Sequence, residues 1–318
     1  MELGKTVQLI TNASSGILKH VLKLRDDKSY RNKTGRCVIQ TDRRLLDELT
    51  SSRENPSSQH TIPKKIIFYS PGDQDYIHTI LRNFPKTHKF FCVTNESLLH
   101  KITGLENEDP YKCFIAEFSK PPDRPVLLRN EIEELMEEGT KNEGENYRPN
   151  FRRTAPPSFV VFNHLQDPGN VGNILRCCVG FNYRHAFFVK GTTDCWNDKV
   201  LRASRGALLL RNAEREAVLT YEIGTIDRLL QISNEYKMPI MVSETSKGES
   251  LDDVQQVVQK EKKIIVFNNE AAGLSDEERE VFRSGNSKFV SIPMSAICTS
   301  LNVASAAAVM LYSFRDKM

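Results

Sequence analysis

The stretch PSFVVFNHLQDPGNVGNILRCCVGF, residues 157–181, places a strand, a turn and a helix in immediate succession. The run FVVF at 159–162 is apolar at consecutive positions, as a strand covered on both faces of a sheet requires. Pro168 and Gly169 make a turn and Asn170 is placed to cap the helix after it. Arg176 lies nearly two turns along, about 9 Å further at roughly 1.5 Å per residue. Downstream, HAFFV (185–189), MPIMVSE (238–244), KKIIVFN (262–268) and KFVSIPM (288–294) read as strands with helical segments between them. The second half of the chain is therefore expected to be an α/β domain on a parallel sheet.

Upstream the same alternation is weaker. Ile17, Val21 and Leu24 fall at helical spacing. CVIQT (37–41), KIIFYS (65–70), KFFCVT (89–94) and CFIAEF (113–118) read as strands, with RRLLDEL (43–49) and QDYIHTILRNF (74–84) as helices. Prolines in SKPPDRP (119–125) end regular structure, and an acidic, glycine-containing stretch follows at 130–150. The expected organisation is a small α/β domain over 1–118, a connector over 119–156 with at most one solvated helix, and the larger domain over 157–318.

With 318 residues, 39% hydrophobic and 27% charged, the composition is that of a globular protein. A net charge of +3 permits a nucleic-acid partner without demanding one, so any basic face must be local. The seven cysteines form no CxxC pair and no zinc-like spacing with histidine, which points to thiols in a reducing compartment and to no metal site. The longest apolar run falls short of a membrane span. Cytoplasm and the matrix of a mitochondrion or plastid both fit.

Two more blocks carry polar groups at strand ends. VFNNEAAGLSDEE (266–278) has a tight turn containing Asn268, Asn269 and Gly273, then Ser275 with Glu278 three residues on as a capping box. Glu270 sits in the loop at the carboxyl end of a strand, where open α/β sheets place ligands; a solvated loop glutamate is the plain alternative. SIPMSAICTSLNVASAAAVMLYSF (291–314) opens a small-residue helix with Ser300 and Asn302, either of which could simply be a cap. Likewise Arg176 alone reads equally well as a surface arginine. Capping leaves unexplained why three separate strand ends offer Asn170 with Arg176, Glu270, and Ser300 with Asn302.

The three blocks, in this order and spacing, resemble the SpoU (TrmH) family of RNA ribose 2'-O-methyltransferases in the SPOUT superfamily. The family pattern runs Asp-Pro-x-Asn-x-Gly-x-x-x-Arg, then Gly-x-Glu-x-x-Gly, then Ile-Pro-Met followed by Ser-Leu-Asn-Val. DCWNDKVLRASRGALLL (194–210) also looks like the family's stretch between the first two blocks. The resemblance covers 157–318 strongly, and 8–118 more weakly as the RNA substrate-binding domain many members carry in front.

That resemblance implies a SPOUT α/β trefoil-knot methyltransferase domain behind a small α/β RNA-binding domain. It implies S-adenosylmethionine as cofactor, held by loops that would include Ser243, Glu244, Thr245, Asn268, Gly273, Ile292 and Leu301. Arg176 would activate the ribose 2'-hydroxyl and Asn170 would position it, with Glu270, Ser300 and Asn302 organising the loops. The partner would be RNA, ribosomal RNA or a pre-ribosomal particle, and the active site would be completed across a dimer formed by the first-block helix and the last helix. A homodimer and a heterodimer with a paralogue remain open.

The chain departs from the pattern at Asn268 and Ala296, where the family has glycines, and at Asn173, usually a small residue. A side chain at either cofactor-loop position could crowd the cofactor. Two readings follow: an active methyltransferase, or a SpoU-like RNA-binding or ribosome assembly factor with an impaired cofactor site. No GxGxxG follows a strand, against an unrelated dinucleotide-binding fold. For RNA contact, basic residues interleave with aromatics at 19–36, 82–90 and 147–153, with a solvated basic loop the alternative for each. Lys199, Arg202 and Arg205 are expected along the catalytic cleft.

Overall fold

A computed structural model of the protein describes residues 7–50, 63–69, 74–83, 89–104, 113–121, 157–212, 217–245, 248–258, 261–270 and 272–315. Most of the expected connector and the basic stretch at 147–153 lie outside the described residues, as does the middle of 82–90. The chain divides into two compact units, Met1–Pro122 with Asp194–Val218, and Asp123–Thr193 with Leu219–Met318.

The first unit runs β1 (Val7–Ile10), α1 (Gly16–Asp26), α2 (Lys28–Thr34), β2 (Arg36–Thr41), α3 (Arg43–Thr50), β3 (Lys65–Tyr69), α4 (Gln74–Asn83), β4 (Lys89–Val93), α5 (Glu96–Thr103) and β5 (Phe114–Ser119). Its sheet has the order β1-β4-β3-β5-β2, with β5 antiparallel to both neighbours and the other pairs parallel. Helix ends follow local chemistry. Asp27 caps α2 by accepting from the Tyr30 amide, and Gly35 ends it with a left-handed φ of 60° that glycine adopts without a Cβ penalty. On α1 Val21 and Leu24 are buried as their spacing predicts, together with Leu18, while Ile17 is only partly buried against the same core.

Residues 194–218 complete this unit although they fall between strands of the other. They contribute α7 (Asp198–Ala203), which packs on β2, and a 3-10 turn at Ala207–Leu209. Arg31, 2% exposed, pairs with Asp194 at 2.7 Å and donates to the carbonyls of Leu24 and Arg25 at the end of α1, each at 2.8 Å. Arg202 donates to Gln40 and Arg205 pairs with Glu48.

The second unit continues with β6 (Phe159–Asn163), α6 (Pro168–Gly180), β7 (His185–Val189), β8 (Thr220–Gly224), α8 (Ile226–Tyr236), β9 (Ile240–Glu244), β10 (Glu249–Ser250), α9 (Leu251–Val258), β11 (Ile264–Asn268), α10 (Asp276–Arg283), β12 (Ser287–Ser291) and α11 (Val303–Phe314). Its seven strands are ordered β10-β12-β9-β11-β6-β7-β8 and all pairs are parallel. Every residue of β6 and β11 is buried, as the continuous apolar runs require. One face packs Phe159, Val161, Phe187, Val242 and Val266 against Leu229 and Ile232 of α8 and Phe282 of α10. Each such side chain contributes about 1.5–3 kcal/mol on burial. Helices α6 and α11 pack on each other, and Ala307 of α11 is fully buried.

The α/β reading of both halves is what the structure shows. It adds strands that the sequence hid: β8 carries Glu222, 5% exposed and bound by Arg228 at 3.2 Å, which breaks the apolar pattern. Among the described residues no helix is long and apolar enough to cross a membrane.

Candidate functional site

Four adjacent strands, in the order β12-β9-β11-β6, end on the same side of the second unit's sheet. The loops leaving them enclose a cavity of about 840 Å³. That volume lies in the range of roughly 300–1,000 Å³ typical of small-molecule sites, and the carboxyl ends of parallel strands are where such sites form.

Each wall comes from one strand end. Gln166, Asp167 and Asn170 follow β6; Ser243, Glu244 and Thr245 close β9; Asn268, Asn269, Glu270, Gly273 and Leu274 follow β11; Ile292, Met294, Ser300, Leu301 and Asn302 follow β12. Of the candidates read from sequence, Asn170, Glu270, Ser300 and Asn302 line the cavity, and so do Ser243, Glu244, Thr245, Asn268, Gly273, Ile292 and Leu301. Arg176 is exposed on α6 and is not among the lining residues. Neither are Lys199, Arg202 and Arg205, whose segment belongs to the first unit.

Asn170 does not cap α6. The helix begins at Pro168, and the cap is Asp167, whose carboxylate accepts from the Asn170 amide at 2.7 Å. The Asn170 side chain is thereby free for two tertiary bonds: its amide nitrogen donates to Glu270 Oε1 at 2.7 Å and its oxygen accepts from Asn302 Nδ2 at 3.0 Å. Asn302 caps α11, its Oδ1 accepting from the amides of Ala304 and Ser305 at 2.9 and 3.4 Å. Those helix amides can only donate, so they fix the orientation of Asn302, then of Asn170, and present N–H to Glu270. One chain of hydrogen bonds with a single direction joins three strand ends.

A second, buried set lies beneath. Asn268, 8% exposed, accepts from Asn163 Nδ2 at 3.2 Å and donates to the Ser243 carbonyl at 3.0 Å. Asn163 Nδ2 also donates to Glu278 Oε1 at 3.1 Å, and Glu278 closes the capping box on Ser275. The Asn268 side chain is thus spent on joining β6, β11 and β9.

The charged lining groups among the described residues are Asp167, Glu244, Glu270 and Arg279, so carboxylates predominate. Arg279 Nη1 stands 2.7 Å from Glu244 Oε2, an ion pair by distance whose N–H is not aligned with the contact; that oxygen is buried without an aligned donor. The guanidinium also lies 5.5 Å from the Phe289 ring centroid. Sequence reasoning missed Arg279, although the cap at Ser275 places it one turn further on the same helix face. It missed Gln166 too, for which the sequence held no signal.

The SpoU rRNA Methylase family profile matches residues 157–312. These residues belong to the SpoU family. Among curated relatives, an uncharacterized tRNA/rRNA methyltransferase of Synechocystis is 29% identical over 168 residues, covering 52% of this chain and 56% of that protein. The mitochondrial rRNA methyltransferase 3 of Xenopus tropicalis is 45% identical over 56 residues, 18% of this chain and 13% of that one. The chain therefore spans about half of the bacterial relative and a small part of the mitochondrial one. A rRNA methyltransferase of Sinorhizobium meliloti shares the fold at a TM-score of 0.67 and 17% identity, over 97% of each chain; its AdoMet-bound form gives 0.65.

Proposed function

We propose that this chain is an S-adenosylmethionine-dependent methyltransferase acting on the ribose 2'-hydroxyl of RNA, with ribosomal RNA as substrate class. The observation that carries the proposal is the directed chain Asn302–Asn170–Glu270, at the mouth of a cavity of about 840 Å³ within the SpoU-family region. The Sinorhizobium meliloti neighbour that binds AdoMet, and the rRNA named in the descriptions of that protein and of the mitochondrial relative, support the cofactor and the substrate class.

The residues present fit such a cofactor. A cationic sulfonium suits a lining in which Asp167, Glu244 and Glu270 outnumber Arg279. Apolar Leu274, Ile292, Leu301 and Met310 suit an adenine ring, and Gly273 turns its loop with a φ of 64°. When bound, the cofactor supplies a methyl group whose carbon–sulfur bond breaks as the bond to the ribose oxygen forms. The protein's share is to hold that oxygen in line and to place a group that takes its proton. Asn170 and Glu270 would fix the sugar. Arg176 would orient a substrate phosphate that takes the proton.

Arg176 reaches a cavity in this scheme through a second copy. Val309 and Tyr312 are exposed at 42% and 55% on α11, the helix that packs on α6, and a homodimer through these helices would cover them. RNA would be gripped in part by Lys19, Lys23, Lys28 and Lys33, which are exposed along α1 and α2.

Two observations favour the enzyme over an RNA-binding factor with a lost cofactor site. Asn268 is turned into its buried bonds, and Ala296 is exposed, outside the lining, and not among the described residues with positive φ. The test is calorimetric titration with S-adenosylmethionine, followed by methyl transfer from labelled cofactor to ribosomal RNA and mapping of 2'-O-methyl sites. Binding with transfer that disappears in Asn170→Ala supports the proposal; absence of binding, or label recovered on a base, overturns it.

A further inference from the structure

We infer that the backbone of His164, not its imidazole, is a positioning element for the cavity; the inference rests on the cofactor reading above. His164 is the first residue after β6 and has a φ of 53°, the left-handed region that a residue with a Cβ adopts only at a cost. Left-handed backbone at a strand end turns the following carbonyl out of the sheet's ladder. Here the His164 carbonyl accepts from Gln166 Nε2 at 3.0 Å and from Asn269 Nδ2 at 2.8 Å. Both donors line the cavity, Gln166 on the β6 side and Asn269 on the β11 side. A single oxygen therefore pins two walls.

The pin propagates. With its nitrogen held, Asn269 offers its side-chain oxygen to the Ala272 amide at 2.9 Å, while its own carbonyl accepts from the Gly273 amide at 3.0 Å. Those two bonds close the turn that carries Glu270. The same Gln166 Nε2 also donates to the Gly191 carbonyl at 2.8 Å. The imidazole has less to do. It is not among the groups that line the cavity, its side chain is 41% exposed, and its Nε2 lies 3.4 Å from a Glu278 carboxylate already engaged by Asn163 and Ser275. Gly191 makes room for the ring, since a Cβ there would stand 2.7 Å from His164 Nδ1.

Three variants separate backbone from imidazole. His164→Gly and His164→Asn tolerate positive φ; His164→Val, β-branched, does not. Each is tested for S-adenosylmethionine affinity by calorimetry and for hydrogen exchange of peptides over 269–273, with peptides over β7 and β8 as the reference. Glycine and asparagine should leave both readouts near the unaltered protein. Valine should weaken binding roughly tenfold, and exchange should rise at 269–273 but not in the reference. Glycine and asparagine as impaired as valine would place the role in the imidazole, and valine without effect would deny any role; either overturns the inference. If the unaltered protein binds no cofactor, the cofactor reading fails, and exchange at 269–273 alone decides this one.

Discussion

Asn302 donates from its amide nitrogen to Asn170 Oδ1 across 3.0 Å while its own Oδ1 receives the first amides of α11. The cap and the contact to Asn170 are one side chain, so they can be separated by a change that keeps the acceptor and removes the donor. Asn302→Asp retains a good N-cap and sets oxygen against oxygen at Asn170. Methyl transfer should fall about 10- to 100-fold, the worth of a hydrogen bond to a charged network, with little loss of thermal stability. Parallel measurement of activity and unfolding checks this; equal loss in both would make Asn302 a cap alone.

Restoring glycine at 296 should do nothing for the cofactor. Ala296 is exposed and outside the cavity, so Ala296→Gly is expected to leave affinity within about twofold, well under the roughly 1.4 kcal/mol of a tenfold change. Tenfold tighter binding by calorimetry would show that the alanine does constrain the loop.

Asn268→Gly, the other restoration, should be harmful. It removes the partner of Asn163 and of the Ser243 carbonyl in a buried setting, at about 1–3 kcal/mol for the groups left unpaired. Denaturant unfolding measures it, and a variant as stable as the unaltered chain would contradict the buried network.

Removing Arg31 from the first unit should cost more. Arg31→Ala removes the cation from Asp194 Oδ2 and the donor from two α1 carbonyls at a buried site, a loss of about 3–5 kcal/mol. Lysine should not restore it, because one ammonium cannot reproduce the guanidinium fork. Unfolding curves of the two variants provide the check.

Stability should depend on acid through His185, whose burial, helped by nearby Arg184, pushes its pKa from 6.5 down to about 4. The folded state then holds fewer protons than the unfolded one between those values, so stability is full above about pH 6.5 and falls as pH drops toward 4. His185→Gln should flatten that slope while keeping a polar partner for Thr220. An unchanged slope would place the acid sensitivity elsewhere.

Much of this was legible because the second unit's strands announce themselves. VVF in β6 and IIVF in β11 are apolar on both faces, and the polar residues at their ends are where the sheet opens. Glu222 in β8 and the four-residue β1 gave no such signal. The roles of individual polar groups were less accessible, since they depend on which neighbour they reach. Asn170 was read as a cap because caps are local; that Asp167 caps instead, and frees Asn170 for residues 100 and 132 positions away, is a tertiary fact. The left-handed turn at His164 has only a faint sequence signature, because histidine is enriched at positive φ but marks it far less plainly than glycine does.

The placement of Asp194–Val218 in the first unit bears on how the polypeptide emerges from the ribosome. Synthesis runs from the amino end, and an N-terminal domain ordinarily folds while its successor is still being made. Here β2 waits for α7, and Arg31 waits for Asp194, until residues of β6, α6 and β7 have already appeared. The amino-terminal half is born first and finished late.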